Sequence, residues 1–338
     1  MSCTTLKNSG SIIQYQFIRS LFALNMVRTI LCGGSGYIGT KLTEVLFHDT
    51  NYEIVIVDRL DFKLNQDFKN KYYNNKRVRF YQNDIRDKKF LSDLIREDDI
   101  IINLAALVGE PLCKLKPEEA VSVNLEAAKD LAVLCKSKNI KKFIQLSTCS
   151  NYGKAAELVN EDSELSPTSL YAETKVELER FLLSNIPNSI ILRCATAYGL
   201  SEGRMRFDLL LSEFIKDAWV SKEINVFMPQ VHRPLVHISD ISEAIKLCIK
   251  EEIKMPKVFN VGSNEQNFTK REIAERVAIH LKVPIKIVEK EDKRDYTVSF
   301  NRIKDELGFK TKFNIDYGIK EMVSVLENRE FDLNQSNV

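Results

Sequence analysis

The chain contains no CxxC pair, although it carries seven cysteines, at positions 3, 32, 113, 135, 149, 194 and 248. An odd count without a pairing motif fits a reducing compartment, here the cytoplasm, better than a disulfide framework. Cys32, Cys135 and Cys248 lie inside apolar runs, where a free thiol behaves as a small hydrophobe. Only four histidines are present, with no HxxxH spacing, so no metal site is expected. No apolar run approaches the length of a membrane span. There is also no long basic block: lysines and arginines are interspersed with acids and the net charge is +2, which argues against nucleic acid or an anionic membrane as partner. Internal repeats and low-complexity segments are absent.

Residues 1–26 lack acids altogether but include Lys7 and Arg19. They read as a disordered leader, as the product of a start assigned upstream of Met26, or as a transit peptide. The remainder is ordinary for a globular protein, with 44% hydrophobic and 28% charged residues, and 338 residues suffice for one large domain or two medium ones.

Strand and helix patterns alternate through the first half. Strands are expected at Arg28–Cys32, Glu53–Asp58, Val78–Asn83, Ile100–Ala105, Phe143–Ser147 and Ser189–Arg193. Helices are expected after the first glycine cluster (Ile38, Leu42, Val45 and Leu46 on one face), at Asp87–Arg96, from about Pro117 to Lys138, and at Ser169–Asn185. Short links and strands without polar alternation predict an α/β fold, a doubly wound parallel sheet covered on both faces.

After Tyr198-Gly199 the rhythm changes. A helix carrying Phe207, Leu210, Leu211, Phe214 and Ile215 is followed by a short strand near Ile224–Phe227. Pro234–Ile238 and Val258–Val261 read as strands compatible with the main sheet. This predicts a dinucleotide-binding domain of residues 27–198 plus about 231–262. A smaller C-terminal α/β substrate lobe takes about 199–230 plus 263–330, and a polar tail, 331–338, is expected to fray.

Three segments carry chemistry. Gly33-Gly34-Ser35-Gly36-Tyr37-Ile38-Gly39 joins a strand to an amphipathic helix and satisfies both GxGxxG and GxxGxxG spacings. Such glycines let backbone approach a pyrophosphate whose charge meets a helix N-terminus. Asp58, about 20 residues on, is placed to accept both ribose hydroxyls, favouring NAD over NADP, although Arg59 beside it could accommodate a 2′-phosphate. Asp84-Ile85 either holds the adenine edge or is a turn acid. Leu146–Gly153 ends a strand with hydroxyls, including Thr148. Tyr171 and Lys175 share one helix face, where an ammonium and the nicotinamide charge would favour the phenolate and make a usable base. By itself each signal is common; together and in this order they describe a proton-and-hydride site.

The loop, Asp58, Thr148, Tyr152-Gly153, Tyr171-x-x-x-Lys175 and Arg193 together resemble the extended short-chain dehydrogenase/reductase superfamily. Within it they are similar to the NAD-dependent nucleotide-sugar epimerases and dehydratases, such as UDP-glucose 4-epimerase. The resemblance runs from Val27 to about residue 325 and implies a Rossmann fold, a nucleotide-sugar substrate and a homodimer through helices 117–138 and 169–185. It places the catalytic set on Thr148, Tyr171 and Lys175. Cofactor contacts fall on Gly33, Gly36, Tyr37, Ile38, Gly39, Asp58, Asp84, Ile85, Leu104, Ala105 and Ala106, besides Tyr171 and Lys175. Asn124 matches a structural asparagine.

Arg233, in Arg233-Pro234-Leu235-Val236-His237, and Arg294, in Lys293-Arg294-Asp295-Tyr296, match the arginines that hold the nucleotide diphosphate; alone, Arg294 would read as a surface ion pair. Thr148 and Thr196 complete the implied substrate contacts, Thr196 standing where many epimerases have asparagine. Dehydratases of the family follow the threonine with Asp-Glu; here stand Cys149 and Ser150, and nothing in the sequence near Cys149 activates its thiol. The implied activity is epimerisation, most directly at C4, with Tyr171 as base. The alternatives are a nucleotide-sugar dehydrogenase or ketoreductase, a dehydratase-related enzyme, and a silent dinucleotide-binding subunit.

Overall fold

The computed structural model describes residues 26–290, 292, 294–328 and 332–337; apart from Met26, the leader expected over 1–26 lies outside them. Seven parallel strands form the central sheet: β1 (Val27–Cys32), β2 (Tyr52–Asp58), β3 (Val78–Gln82), β4 (Ile100–Asn103), β5 (Lys142–Thr148), β6 (Ser189–Cys194) and, from far downstream, Lys257–Val261. Their spatial order is β3-β2-β1-β4-β5-β6 followed by Lys257–Val261. The order reverses between β1 and β4, which opens a crevice at the carboxyl ends of the strands. This is the Rossmann-like, doubly wound arrangement that the alternation predicts.

Both faces are covered, and successive strand residues divide between them. Leu31, Ile54, Ile56, Ile102 and Ile144 pack with Leu42 and Leu46 of α1 (Tyr37–Phe47). Ile30, Val55, Val57, Ile101 and Phe143 pack with Leu91 of α2 (Lys88–Leu94), with Leu131 and Cys135 of α3 (117–137) and with Leu178 and Leu182 of α4 (Leu170–Asn185). α3 is one continuous helix interrupted by a π-helical stretch at Ser122–Ala127.

The C-terminal part is built from β7 (Thr196–Tyr198), α5 (Leu210–Val220), β8 (Ile224–Val226), β9 (His232–His237), α6 (Ile238–Lys250), β10 (Lys257–Val261), β11 (Asn267–Thr269), α7 (Lys270–Leu281), β12 (Ile285–Ile287), α8 (Asn301–Leu307) and α9 (Ile315–Asn328). Three expectations need correction here. The strand around Pro234 does not join the main sheet: β9 pairs with β7 and β11 in a separate three-stranded sheet, while β10 alone of the later strands joins β6. Leu235 and Val236 are as apolar as a central strand, but Pro234, which has no N–H for a ladder, and the polar His232, Arg233 and His237 mark β9 as lying outside it.

Phe207 precedes α5 instead of lying on it and is buried in the loop. The polar end, expected to fray, lies along residues 205–207. Gln335 O accepts from Phe207 N at 2.9 Å, Gln335 Oε1 accepts from Met205 N at 2.9 Å, and Asn337 is buried. Unsatisfied backbone groups in the loop supply partners for a polar segment, which composition alone does not reveal.

Candidate active site

A cavity of about 1400 Å³ lies over the carboxyl ends of the strands, between the sheet and the C-terminal elements. That exceeds the roughly 300–1,000 Å³ of a single-ligand pocket and suits a dinucleotide with a second ligand. Gly33, Gly36, Tyr37, Ile38, Gly39, Asp58, Asp84, Ile85, Leu104, Ala105, Ala106, Thr148, Tyr171, Lys175, Thr196, Arg233 and Arg294 all line it. The residues implied as catalytic, cofactor-binding and substrate-binding are thus brought to one space.

At the glycine end, Gly33 has φ +80°, and a Cβ there would stand 2.6 Å from Ala105 N, so the close approach of the two loops demands glycine. Gly39 is needed for a different contact: its Cβ would meet Gly34 Cα at 2.6 Å. Helix α1 starts at Gly36 with no side-chain cap and no acid in its first turn, leaving its N–H groups and positive end open to an anion. Asp58 accepts from Ser35 N at 2.9 Å and Leu60 N at 2.8 Å, which fixes it at the rim; burial pushes its carboxyl up.

Arg59 is taken by carboxylates: it pairs with Asp61, with Glu119 at 2.9 Å and with Asp84 at 3.3 Å. It is therefore not a free receptor for a 2′-phosphate, and the residues present fit NAD. Asp84 is held in a turn, accepting from Arg86 N at 2.8 Å and from the Arg86 guanidinium. It lines the cavity wall beside Ile85.

The loop 104–107 beneath the cavity is pinned from α3. Asn124 accepts from Leu107 N at 2.7 Å and donates to Leu107 O at 2.9 Å. Asn124 lies in the π-helical stretch.

At the chemical centre, Thr148 ends β5, and its Oγ1 accepts from Ser150 N at 3.0 Å, capping the short turn Cys149–Tyr152. Helix α4, capped by Ser169, carries Tyr171, Lys175 and Glu179 on one face at four-residue spacing. Lys175 Nζ lies 5.9 Å from the Tyr171 ring centroid and donates to Leu146 O at 3.2 Å. Burial lowers its pKa to about 8.

Burial also drives the Tyr171 phenol well up, opposed by the positive charge of Arg206. Cys149 does not compete as a nucleophile: it is buried, donates to Arg193 O at 3.2 Å, and burial holds its thiol far above neutrality.

Beneath Thr148 sits a buried polar knot. Glu179 accepts from Arg193 Nε at 2.9 Å, Arg193 Nη2 at 2.7 Å, Asn151 Nδ2 at 2.7 Å and Ser147 Oγ. Arg193 Nη1 donates to Tyr152 OH at 3.0 Å, which donates to Asn260 Oδ1 at 2.8 Å. The Tyr152-Gly153 and Arg193 signals thus belong to scaffolding that ties β5, β6 and α4 together.

At the opposite end, Asp292 collects three cations: Arg233 Nη2 at 2.5 Å, Lys270 Nζ at 2.9 Å and Arg294 Nε at 3.0 Å. Burial alone would raise the Asp292 carboxyl, but Arg294, Arg233 and Lys270 hold it well below the usual range. Arg233 Nη2 nonetheless lacks an aligned hydrogen-bond acceptor. Three positive charges on one negative leave an excess suited to an anion. Lys270 also stands 3.6 Å from the ring centroid of Phe227, another wall residue.

Sequence reading missed Lys270, Asp292, Phe227, Arg204, Arg206 and Tyr296 among the residues that line the cavity. The Arg204-Met205-Arg206 pair of cations was the one visible signal.

Residues 29–262 match the NAD dependent epimerase/dehydratase family. The low-salt glycan biosynthesis protein Agl12 of Haloferax volcanii is 26% identical over 241 residues, covering 69% of this chain and 76% of that protein. The uncharacterized UDP-glucose epimerase YtcB of Bacillus subtilis is 28% identical over 255 residues, covering 71% and 78%. Similar proteins also include the human dTDP-D-glucose 4,6-dehydratase and an Arabidopsis thaliana UDP-glucuronic acid decarboxylase, each 25% identical. Among solved structures, UDP-glucuronic acid 4-epimerase from Bacillus cereus, in complex with UDP-glucuronic acid and NAD, shares the fold. Its TM-score is 0.79 at 21% identity, over 89% of this chain and 99% of that one. With glycine loop, Asp58 and Tyr-Lys helix on one cavity, and with the family matched over more than half its length, the chain belongs to the NAD dependent epimerase/dehydratase family.

Proposed function

We propose that the protein is an epimerase acting at C4 of a nucleotide-activated sugar through a transient keto sugar. The observation that carries this is the meeting of Thr148, Tyr171 and Lys175 on one wall of a cavity sized for two ligands, with no carboxyl at the two positions following Thr148. NAD, when bound, supplies the hydride acceptor and a positive nicotinamide. Gly33, Gly36, Gly39 and the N–H groups of α1 would hold its diphosphate, Asp58 its ribose, and the loop 104–106 its nicotinamide end.

In this reading Tyr171 takes the proton of the sugar hydroxyl as its carbon is oxidised and returns it when that carbon is reduced on the other face. The ammonium of Lys175 together with the nicotinamide charge would draw the phenol down from its raised pKa. Thr148 orients the hydroxyl. Arg233, Arg294 and Lys270 neutralise the nucleotide diphosphate, with Arg233 Nη2 as a donor still to be filled, and Phe227 offers a flat surface for the base. Thr196, on the β7 wall, contacts the substrate.

Elimination of water by the family's usual route lacks its acid–base pair, since Cys149 is buried and inert and Ser150 is a neutral hydroxyl. We also infer a cytoplasmic homodimer. Buried free thiols, Cys32, Cys135 and Cys248 among them, fit a reducing compartment. Exposed Val133 on α3 and Leu183 on α4 fit a paired surface, and among the described residues no helix is long and apolar enough to cross a membrane.

The test is incubation of the pure protein with UDP-glucose, UDP-N-acetylglucosamine and other nucleotide sugars, followed by NMR of the products. The 4-epimer should form without accumulation of NADH. Stoichiometric NADH without any epimer would replace the reading with a one-way nucleotide-sugar dehydrogenase.

A further inference from the structure

Arg204 is a buried cation that forms no ion pair among the described residues. It is 6% exposed, and among the described residues it donates only to neutral oxygens, Ser336 O at 3.2 Å and Asn337 Oδ1 at 2.5 Å. Its guanidinium carbon stands 3.7 Å from the centroid of Phe62. Arg206, two residues on, is by contrast forked onto Asp208. Burial, with repulsion from Arg206, lowers the Arg204 pKa to about 10, and the charges of Asp208, Asp58 and Asp61, with none of which it forms an ion pair, offset this only in part. A guanidinium with unpaired charge on a cavity wall suits an anionic ligand.

Its position says which anion. The segment 199–208 crosses the first turn of α1. Ser201 Oγ lies 2.6 Å from Thr40 Oγ1, and Gly203 sits so tightly on Thr40 that a Cβ would approach its Cγ2 to 2.5 Å. Gly203 O accepts from Asn65 N at 2.9 Å, fixing the segment to the loop after β2. On the other side Asn337 Nδ2 donates to Val108 O at 3.5 Å, in the loop after β4.

Phe62, Arg204, Asn337 and Val108 therefore form a bridge from the end of β2 to the end of β4. The strand between these two is β1, whose end carries the glycine loop and the uncapped start of α1. All four residues of the bridge and the glycine loop line the same cavity.

We propose that Arg204 is a cofactor-binding residue that caps the dinucleotide's diphosphate from the side opposite the glycine loop, and that Asn337 positions it there. A guanidinium fork meeting phosphate oxygens would complete a cradle whose other half is backbone N–H alone. The bridge would also have to open for the cofactor to leave, so bound NAD is retained between turnovers. This inference rests on the family's cofactor and not on the C4 reading; it concerns binding and is tested without turnover.

The experiment uses the full chain freed of nucleotide, as wild type, Arg204→Met, Arg204→Lys and Asn337→Ala. Affinities for NAD⁺, NADP⁺, ADP-ribose and adenosine are measured by calorimetry, directly or by competition, and NAD⁺ release by stopped flow. Arg204→Met should weaken NAD⁺ and ADP-ribose by about tenfold or more, with adenosine, which has no phosphate, changed by less than about twofold. Arg204→Lys should fall between, and Asn337→Ala should speed NAD⁺ release.

Unchanged NAD⁺ affinity in Arg204→Met overturns the proposal. A loss confined to NADP⁺ overturns it in favour of a 2′-phosphate contact, and an equal loss for adenosine in favour of a purely structural role. If Arg204→Met does not fold, Asn337→Ala decides alone, and unchanged NAD⁺ release and affinity in that variant overturn the proposal. Failure of the epimerase reading would instead appear in the product spectra and leave these affinities as predicted.

Discussion

Replacing Lys175 by methionine should abolish turnover and yet make the ligand-free protein more heat-stable. The lysine is 3% exposed and its pKa falls from 10.5 to about 8, the cause being burial. A depression of about 2.5 units corresponds to about 3 kcal/mol by which the folded state disfavours the ammonium at neutral pH. Methionine has similar length and no charge. The carbonyl it would leave, Leu146 O, still accepts from Gln145 Nε2 at 2.8 Å, so no buried acceptor is orphaned. Allowing about 1 kcal/mol for the lost hydrogen bond leaves a net gain of about 2 kcal/mol.

With an unfolding entropy of about 2.1 cal/mol/K per residue, a chain of 338 residues gains about 3 °C in Tm. The sign with pH follows from linkage. Below about pH 8 the lysine is protonated in both states and the wild type bears the full penalty. Between about 8 and 10.5 only the unfolded state holds the proton, so the wild type gains stability as pH rises and the advantage of the variant shrinks. Calorimetric melts of both proteins at pH 7 and pH 9.5 measure this. A variant that melts below wild type at pH 7, or a Tm difference equal at both pH values, would refute the reasoning.

Three further outcomes follow from the geometry. Glu179→Gln removes the counter-charge of buried Arg193, which should destabilise by about 3–5 kcal/mol; replacing both partners, as Glu179→Leu with Arg193→Met, should cost less, measured by thermal melts in a double-mutant cycle. Arg233→Met should weaken binding of a nucleoside diphosphate by about tenfold while leaving NAD⁺ affinity intact, read by calorimetry, because its Nη2 is an unaligned donor at the end of the cavity away from the glycine loop. Val133→Glu combined with Leu183→Glu should convert a dimer to monomers in light scattering, since both side chains are exposed on α3 and α4.

Legibility in the sequence followed the range of the interactions. The parallel sheet could be read because its strands are apolar on both faces and its helices carry single apolar stripes; both patterns are local. The glycine loop, Asp58 and the Tyr171–Lys175 pair were legible for the same reason, each being fixed by spacing within one strand–turn–helix unit. Lys270, Asp292 and Arg233 were not read as a cluster, because their meeting depends on β9, α7 and the segment before Arg294 packing together. Arg204 and Asn337 lie 133 residues apart, and a polar end segment gives no pattern that announces docking. The expectation that Pro234–Ile238 joins the main sheet failed because the apolar Leu235 and Val236 mask what Pro234 signals, a strand outside the centre of that sheet. The burial that raises the Tyr171 phenol was not legible either, since it depends on solvent exclusion and not on spacing.

The central claim is that the phenol of Tyr171 moves the proton. Tyr171→Phe keeps the ring and removes only the hydroxyl, so the turnover number with the nucleotide sugar on which wild type is active, measured beside NAD⁺ affinity, isolates that step. The account predicts a fall of about 10²–10⁴-fold in kcat with NAD⁺ binding unchanged. Turnover within a few-fold of wild type would contradict it.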